Sequence, residues 1–152
     1  MKNRAFTLIE MMMVLIIIGI LMGLTLAAVF TALKSAKVSN AEADIATLEA
    51  SISMYEVDMG DYPALNPAGN NSFKAWLEDS QLLPWNGPYM HFKSENLTSG
   101  SDPVLDPWNN AYQYHYDVSV EPHSGSHHSG YFDIWSNGPD KTSGTSDDIT
   151  NW

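Results

Sequence analysis

The sequence has no cysteine and few basic residues: 7 lysines and arginines stand against 18 aspartates and glutamates, for a net charge of −11 over 152 residues. Without cysteine the chain cannot form a disulfide, even in an oxidising compartment, and it has no thiol nucleophile. Without a basic patch it cannot neutralise a row of phosphates, so a nucleic-acid partner is not expected. The acidic balance suits a solvated surface or a metal cation as ligand.

Motifs for catalysis are missing as well. The sequence has no Gly-x-Ser-x-Gly elbow, and no acid–base pair stands beside a candidate nucleophile. Three of the five histidines, His123, His127 and His128, share a glycine- and serine-rich segment with no framework to fix them. Such histidines are more typical of a surface loop than of a zinc or copper site. We therefore predict that the protein is not an enzyme.

The longest uncharged run extends from Met11 to Leu33 and is rich in leucine, isoleucine and methionine. As a helix it is long enough to cross the ~30 Å hydrocarbon core of a bilayer, and it exceeds the apolar core of a secretory signal. Lys2 and Arg4 precede it, and the positive-inside rule places such a leader in the cytoplasm. The pattern predicts a membrane-spanning helix, with the rest of the chain on the far side of the membrane.

Glu10 lies at the start of this run. A carboxylate without a partner in the apolar part of a bilayer costs about 2.5–3.5 kcal/mol or more. A simple membrane anchor gains nothing from that cost, whereas a helix that assembles can take a positive partner from a neighbouring subunit. Glu10 therefore predicts that the helix associates with other subunits.

After Lys34 the apolar residues follow one face of a helix at steps of three and four. These residues are Val38, Ala41, Ile45, Leu48, Ile52 and Tyr55. The segment Gly60–Pro63 ends the helix, because proline cannot continue it and disfavours helical geometry in the residue before it. The stripe predicts the core face of a helix that belongs to a globular domain.

The second half of the chain has the features of short, irregular elements. A short helix is expected from Phe73 to Ser80. Aromatic residues concentrate at 111–116 and 131–135, which predicts two antiparallel strands. Together with the long helix, these elements predict an α+β fold.

The C-terminal segment brings three aspartates, Asp140, Asp147 and Asp148, within nine residues, next to Gly138 and Gly144. Glycines let a loop curl until its carbonyl groups point inward, and carboxylates with carbonyls are the ligands that calcium takes. The spacing is not that of an EF-hand. On the residues alone, a calcium loop and a solvated acidic tail both stay open.

Several ordered segments resemble one known family. Residues Phe6–Glu10, with the basic leader before them and the apolar run after them, resemble the class III signal of type IV pilins and type II secretion pseudopilins. Residues 105–114 are similar to the Asp-Pro-Trp signature of the major pseudopilins. Residues 132–140 and 147–152 are similar to the C-terminal calcium loop of that family.

The resemblance implies how the N-terminus is processed and used. A prepilin peptidase would cut between Ala5 and Phe6, and Phe6 would become N-methylated. The new amine of Phe6 would then pair with Glu10 of a neighbouring subunit. Two residues depart from the family pattern: Ala5 replaces the usual glycine, and Ala27 stands where proline is common, which predicts a straighter helix.

The resemblance also implies a calcium ligand set. The side chains of Asp140, Asp147 and Asp148 would bind Ca2+, and the backbone carbonyls of Asn137 and Ser143 would complete the shell. Calcium would then fasten the C-terminal loop, in place of the disulfide that the sequence cannot form.

The implied architecture is a pilin-like α+β fold, in which a long N-terminal membrane-spanning helix packs on a small antiparallel β-sheet with a C-terminal calcium loop. It divides the chain into a leader at 1–5, a transmembrane and filament-core helix at 6–33, and a periplasmic domain at 34–152. Within that domain we expect helix to about residue 60, variable loops at 61–104, and the sheet with the calcium loop at 105–152.

The implied function is structural. The subunit would sit in the bacterial inner membrane and polymerise with copies of itself into a periplasmic pseudopilus that drives protein export by type II secretion. Its partners would be membrane lipid, prepilin peptidase, minor pseudopilins and the inner-membrane assembly platform. Two alternatives stay open: a type IV pilin-like surface fibre for adhesion or motility, and a signal-anchored domain that binds a ligand. Whether the fibre extends outside the cell is also open.

Overall fold

The computed structural model describes residues 6–64, 72–79, 84–98, 100–116 and 130–152. The chain forms two compact units, residues 1–36 and 37–152, each described by itself. The helices are α1 (Leu8–Met59), α2 (Phe73–Leu77) and a short 3-10 turn (Ser94–Asn96). The strands are β1 (Leu97–Thr98), β2 (Ser101–Val104), β3 (Gln113–His115), β4 (Asp133–Ser136) and β5 (Ile149–Thr150).

In the first unit, α1 exposes apolar side chains on every face. The large apolar residues between Phe6 and Leu33 are 42% to 78% exposed. In the described part of the chain, α1 is the one helix long and apolar enough to cross a membrane by length and composition. It continues without a break through Ala27. A surface this apolar is stable only where lipid or protein covers it.

In the second unit, the predicted apolar stripe of α1 is confirmed as the core face. Ala41, Ile45, Leu48, Ile52 and Tyr55 are all buried. Val38, at the edge of this unit, is half-buried.

The predicted end of α1 is also observed. The amide of Gly60 donates to the carbonyl of Glu56 at 2.7 Å, and Gly60 adopts φ +81°, a conformation that glycine reaches without strain. Pro63 then turns into the core.

The helix α2 is shorter than the predicted Phe73–Ser80. It ends at Leu77, whose carbonyl accepts the amide of Tyr89 at 2.9 Å from a later segment. A helix of five residues is not stable by itself. Burial of Phe73 and Leu77 against the core stabilises it instead.

Two small antiparallel sheets complete the second unit, which confirms the α+β class. In the three-stranded sheet β4 lies between β3 and β5, with Tyr114 opposite Ile134 and Trp135 opposite Thr150. The predicted strands at 111–116 and 131–135 correspond to β3 and β4, the first shortened and the second shifted toward Ser136. The other sheet pairs β1 with β2, inside the region expected to be variable loops.

Tyrosine hydroxyls join this second half to α1 and to the segment that directly follows it. Tyr112 donates to Asp44 at 2.9 Å, and Tyr131 donates to Glu49 at 3.0 Å. Tyr114 donates to the carbonyl of Pro63 at 2.8 Å. The aromatic rings fill the core while their hydroxyls reach polar groups at its edge. In the part of the chain that the structure describes, no buried side-chain oxygen or nitrogen lacks a hydrogen-bond partner.

Candidate functional sites

The start of α1 is closed by reciprocal hydrogen bonds between Thr7 and Glu10. The backbone amide and the hydroxyl of Thr7 both donate to Glu10 Oε2, each at 2.9 Å. The amide of Glu10 donates in return to Thr7 Oγ1 at 3.3 Å. This is a capping box, which satisfies amide groups that the first helical turn leaves without partners.

Sequence reasoning missed this capping role and treated Glu10 only as a partner for a neighbour's amine. The signal was present, because Thr-x-x-Glu before an apolar run is the sequence pattern of a capping box. Phe6 precedes the box and is 74% exposed. Ala5 and the rest of the leader lie outside the described residues, so the cleavage point has no structural account.

The C-terminal aspartates fold back on their own loop. Asp147 Oδ1 accepts the hydroxyl of Thr145 at 2.7 Å, and its Oδ2 accepts the amide of Asp140 at 3.2 Å. Asp148 Oδ2 accepts the amide of Gly144 at 2.7 Å. The hydrogen bond from Thr145 holds the pKa of Asp147 below its ordinary value. Asp147 is therefore ionised at neutral pH.

Gly138 is required where the loop begins. It adopts φ +62°, and a Cβ at this position would lie 2.2 Å from the carbonyl oxygen of Asp147 and 3.1 Å from its carboxylate. Any other residue would push the two ends of the loop apart. The glycine thus brings the first and last parts of the loop together.

Trp135 fastens the same loop to β4. Its indole N–H donates to Asn137 Oδ1 at 3.0 Å and to Ser143 Oγ at 3.2 Å. The ring of Trp152 packs edge-on against Trp135, with centroids 6.0 Å apart. The side chains of Asn137 and Ser143 therefore hold the loop to Trp135. Their backbone carbonyls, which the resemblance implies as calcium ligands, are not used in these hydrogen bonds and stay a prediction.

The donor set of this loop fits calcium by chemistry. It offers three carboxylates and several carbonyls, all hard oxygen ligands. Among the described residues, however, no group of three or more acidic or histidine side chains is arranged to hold a metal ion. Asp140 and Asp147 are joined through a backbone amide rather than through a shared centre. The histidine segment with His123, His127 and His128 lies outside the described residues.

A buried aspartate, Asp106, links the Asp-Pro-Trp segment to this loop, and sequence reasoning did not single it out. Its Oδ1 accepts the amides of Trp108 at 2.9 Å and Asn110 at 2.8 Å. Its Oδ2 accepts the side-chain amide of Asn110 at 3.1 Å and the buried hydroxyl of Ser136. The side-chain amide of Asn110 also donates to the carbonyl of Gly138 at 2.8 Å. Asp106 thereby positions the residue at which the C-terminal loop begins.

These features define a class of protein. Such a subunit has an N-terminal helix with exposed apolar side chains, a carboxylate that caps the start of that helix, and a small α+β domain that follows the apolar segment in the sequence. The family model described as "Type II secretion system (T2SS), protein G" matches residues 28–152. The model described as "Prokaryotic N-terminal methylation motif" matches residues 1–26. The chain belongs to the type II secretion system protein G family.

Curated relatives carry the name of the same family. Type II secretion system core protein G of Escherichia coli K12 is 36% identical over 151 residues, covering 99% of this chain and 92% of the relative. The protein of the same name from Pseudomonas aeruginosa is 34% identical and covers 99% and 96%. The crystal structure of the major pseudopilin of enterohaemorrhagic E. coli has a TM-score of 0.46 and 24% identity, covering 81% of this chain and 92% of that one. The predicted family is confirmed by the family model and the relatives.

Proposed function

We propose that this protein polymerises into a pseudopilus that drives protein export by type II secretion. The observation that carries the proposal is the first half of α1, whose apolar side chains are exposed on every face in a single subunit. A bilayer covers that surface before assembly, and a bundle of identical helices covers it afterwards. Membership of the protein G family supports this reading over a surface fibre or an anchored ligand-binding domain.

The processing and topology of the subunit follow from its N-terminus. Lys2 and Arg4 keep the leader in the cytoplasm, so the domain after the apolar segment lies in the periplasm. Prepilin peptidase cuts between Ala5 and Phe6, and Phe6 is then methylated; the match to the methylation motif over residues 1–26 supports this step. The minor pseudopilins and the inner-membrane assembly platform are the further partners.

Deleting the gene tests the function. We expect exported proteins to accumulate in the periplasm, and the wild-type chain should restore both export and filaments that can be sheared from the cells. Mass spectrometry of those filaments should find subunits that begin at methylated Phe6. Normal export, with a loss of adhesion or motility instead, would contradict the proposal and favour a surface fibre.

We also propose that the C-terminal loop binds Ca2+ through Asp140, Asp147 and Asp148, with the backbone carbonyls of Asn137 and Ser143. When bound, the ion supplies a positive centre that joins the two ends of the loop. The support is the donor chemistry together with Gly138, which lets Asp147 approach the start of the loop. The protein has no disulfide to do this work.

Removal of calcium should lower the melting temperature of the full-length protein in detergent. Binding to the folded state alone stabilises by roughly 2.7 kcal/mol at a hundred times Kd. A domain of this size shifts by roughly 4 °C per kcal/mol, so we expect a fall of about 10 °C with a chelator. Tryptophan fluorescence reports the transition, because Trp135 donates a hydrogen bond to Ser143 of the loop and the ring of Trp152 packs on Trp135.

Two variants and a second metal make this test specific. Asp140→Ala should abolish the response to calcium, whereas Glu42→Gln, an exposed acid on α1, should keep it. Magnesium should replace calcium poorly, because it demands tighter octahedral geometry and gives up water reluctantly. Superimposable melting curves with calcium and with chelator, at matched ionic strength, would show that the aspartates form only a solvated loop.

A further inference from the structure

Two Asn-Gly dipeptides occur in the sequence, Asn86-Gly87 and Asn137-Gly138, and proline follows each of them. Asparagine before glycine is prone to lose ammonia, because glycine has no Cβ to keep its backbone nitrogen away from the asparagine side chain. Asparagine is accordingly one of the thermolabile residues. The same two residues follow both asparagines, so a large difference in reactivity between them has to come from the fold.

The reaction is an attack of the glycine backbone nitrogen on the side-chain carbonyl carbon of the asparagine. A C–N bond forms between these atoms, the C–N bond to the side-chain NH2 group breaks, and the proton of the backbone amide leaves with that group as ammonia. Water then opens the resulting cyclic imide at either carbonyl group. The products are aspartate and isoaspartate, and in isoaspartate the main chain runs through the side-chain carbon. The reaction needs water and no enzyme.

The fold restrains Asn137-Gly138. Gly138 is buried, and its amide donates to the hydroxyl of Ser136 at 3.1 Å. The side-chain oxygen of Asn137 accepts the indole N–H of Trp135 at 3.0 Å. The nitrogen and the carbonyl group that must meet are therefore held by separate partners, and attack requires these hydrogen bonds to break or distort.

The fold places no such restraint on Asn86-Gly87. Asn86 is exposed, and in the part of the chain that the structure describes neither its side chain nor the amide of Gly87 makes a hydrogen bond. Glycine is nevertheless required at 87, because a Cβ there would lie 2.4 Å from the indole ring of Trp85. That ring is fixed by its N–H, which donates to the carbonyl of Trp76 at 3.1 Å. Packing thus demands glycine directly after an exposed asparagine.

We propose that Asn86 is a site of spontaneous deamidation, and that its conversion loosens the segment after it from α1. The backbone amide of Asn86 donates to the hydroxyl of Tyr89 at 3.1 Å, and that hydroxyl donates to Asp58 of α1 at 2.5 Å. Isoaspartate lengthens the main chain at residue 86 and moves this amide. Both products also add a negative charge to the segment that bonds to Asp58, and like charges repel. The modification goes beyond the proposed function and does not depend on it.

Peptide mapping by mass spectrometry tests the proposal on the full-length protein in detergent. After incubation at physiological temperature, residue 86 should be converted at least about tenfold faster than residue 137, which corresponds to about 1.4 kcal/mol in the barrier. Its rate should rise with pH, because the attacking nitrogen must lose its proton. In urea the two rates should become similar, since unfolding removes the hydrogen bonds of Gly138 and Asn137. Equal rates in the folded protein, or no conversion at residue 86, would overturn the proposal.

Asn86→Gln is the matched variant, because its longer side chain forms the cyclic imide far more slowly. It should fold with a melting temperature within about 2 °C of wild type, since Asn86 is exposed. Incubation should lower the melting temperature of the wild-type protein by roughly 2–4 °C, as expected for one lost hydrogen bond, and leave that of Asn86→Gln unchanged. Gly87→Ala is not suitable, because its Cβ would meet Trp85. An equal fall in Asn86→Gln would place the change elsewhere in the chain and overturn the proposal.

Discussion

Glu10→Gln should lower the yield of sheared filaments more than about a hundredfold, while the protein still inserts into the membrane. In the assembled state we expect the carboxylate of Glu10 to face the amine of Phe6 from a neighbouring subunit, in apolar surroundings. Removing one partner of a buried ion pair costs about 3–5 kcal/mol, because the other charge is left uncompensated. Each 1.4 kcal/mol is a factor of ten in an association constant, which gives the expected loss. Filament shearing and membrane fractionation measure the two outcomes separately.

Glutamine is the informative replacement because it separates the charge from the cap. Glutamine can serve at the third helical position of a capping box, so Glu10→Gln removes the negative charge while the reciprocal bonds with Thr7 are kept. Thr7→Val does the reverse, since it removes the capping hydroxyl at a cost of about 1 kcal/mol and leaves the carboxylate. Thr7→Val should therefore lose less than about tenfold in yield. Full assembly of Glu10→Gln together with failure of Thr7→Val would mean that Glu10 acts only as a cap.

The two roles of Glu10 are compatible in geometry. Both donors of Thr7 bond to the same oxygen, Oε2. A carboxylate has two oxygens and about four acceptor sites, so the amine of a neighbour can approach Oε1 while the cap stays closed. The cap would then hold the carboxylate in position before its partner arrives, which lowers the entropy lost on assembly.

The parts of the fold that could be predicted from sequence are those fixed by local pattern. The core stripe of α1 is readable because Ala41, Ile45 and Leu48 follow the helical period over several turns. The helix end is readable because Gly60 and Pro63 act on their own backbone. A regular apolar period and residues that end a helix act on the local backbone, so both can be predicted without knowing the tertiary structure.

The small sheet of β1 and β2 could not be predicted, because tertiary contacts form it. The strands are two and four residues long, and β2 contains Pro103, which argues against a strand in sequence reasoning. What fixes them is burial of Leu97 and Val104, which are opposite each other in the pairing. Neither residue stands in an alternating pattern from which its partner could be inferred.

The candidate sites divide in the same way. The composition of the C-terminal loop reveals its aspartates, and the spacing of Thr7 and Glu10 reveals a cap. The role of Asp106 stays hidden because its partner Ser136 is 30 residues away in sequence. Long-range hydrogen bonds of this kind leave no periodic trace, so only the folded structure identifies them.

Asp106→Ala should destabilise the domain by roughly 3–5 kcal/mol, the largest loss expected for a single side chain outside the apolar core. Asp106 is 4% exposed and accepts four hydrogen bonds from Trp108, Asn110 and Ser136. Alanine leaves the buried hydroxyl of Ser136 and the backbone amides of the half-buried Trp108 and Asn110 without this acceptor. A buried donor without a partner costs about 1–3 kcal/mol. A natural domain has only about 5–15 kcal/mol of stability in total. Urea unfolding of the full-length protein in detergent, followed by tryptophan fluorescence, measures the loss.

Asp106→Asn and a surface aspartate provide the controls. Asparagine keeps an oxygen toward the amides of Trp108 and Asn110 but turns an NH2 group toward the side-chain amide of Asn110, so its loss should be smaller than that of alanine. Asp79→Ala removes an exposed ion pair with Lys74 and should cost under about 1 kcal/mol. Because Asn110 also bonds the carbonyl of Gly138, Asp106→Asn should weaken the calcium response as well. A loss below about 1 kcal/mol for Asp106→Ala would mean that Ser136 and Asn110 find other partners, and that Asp106 does not position the loop.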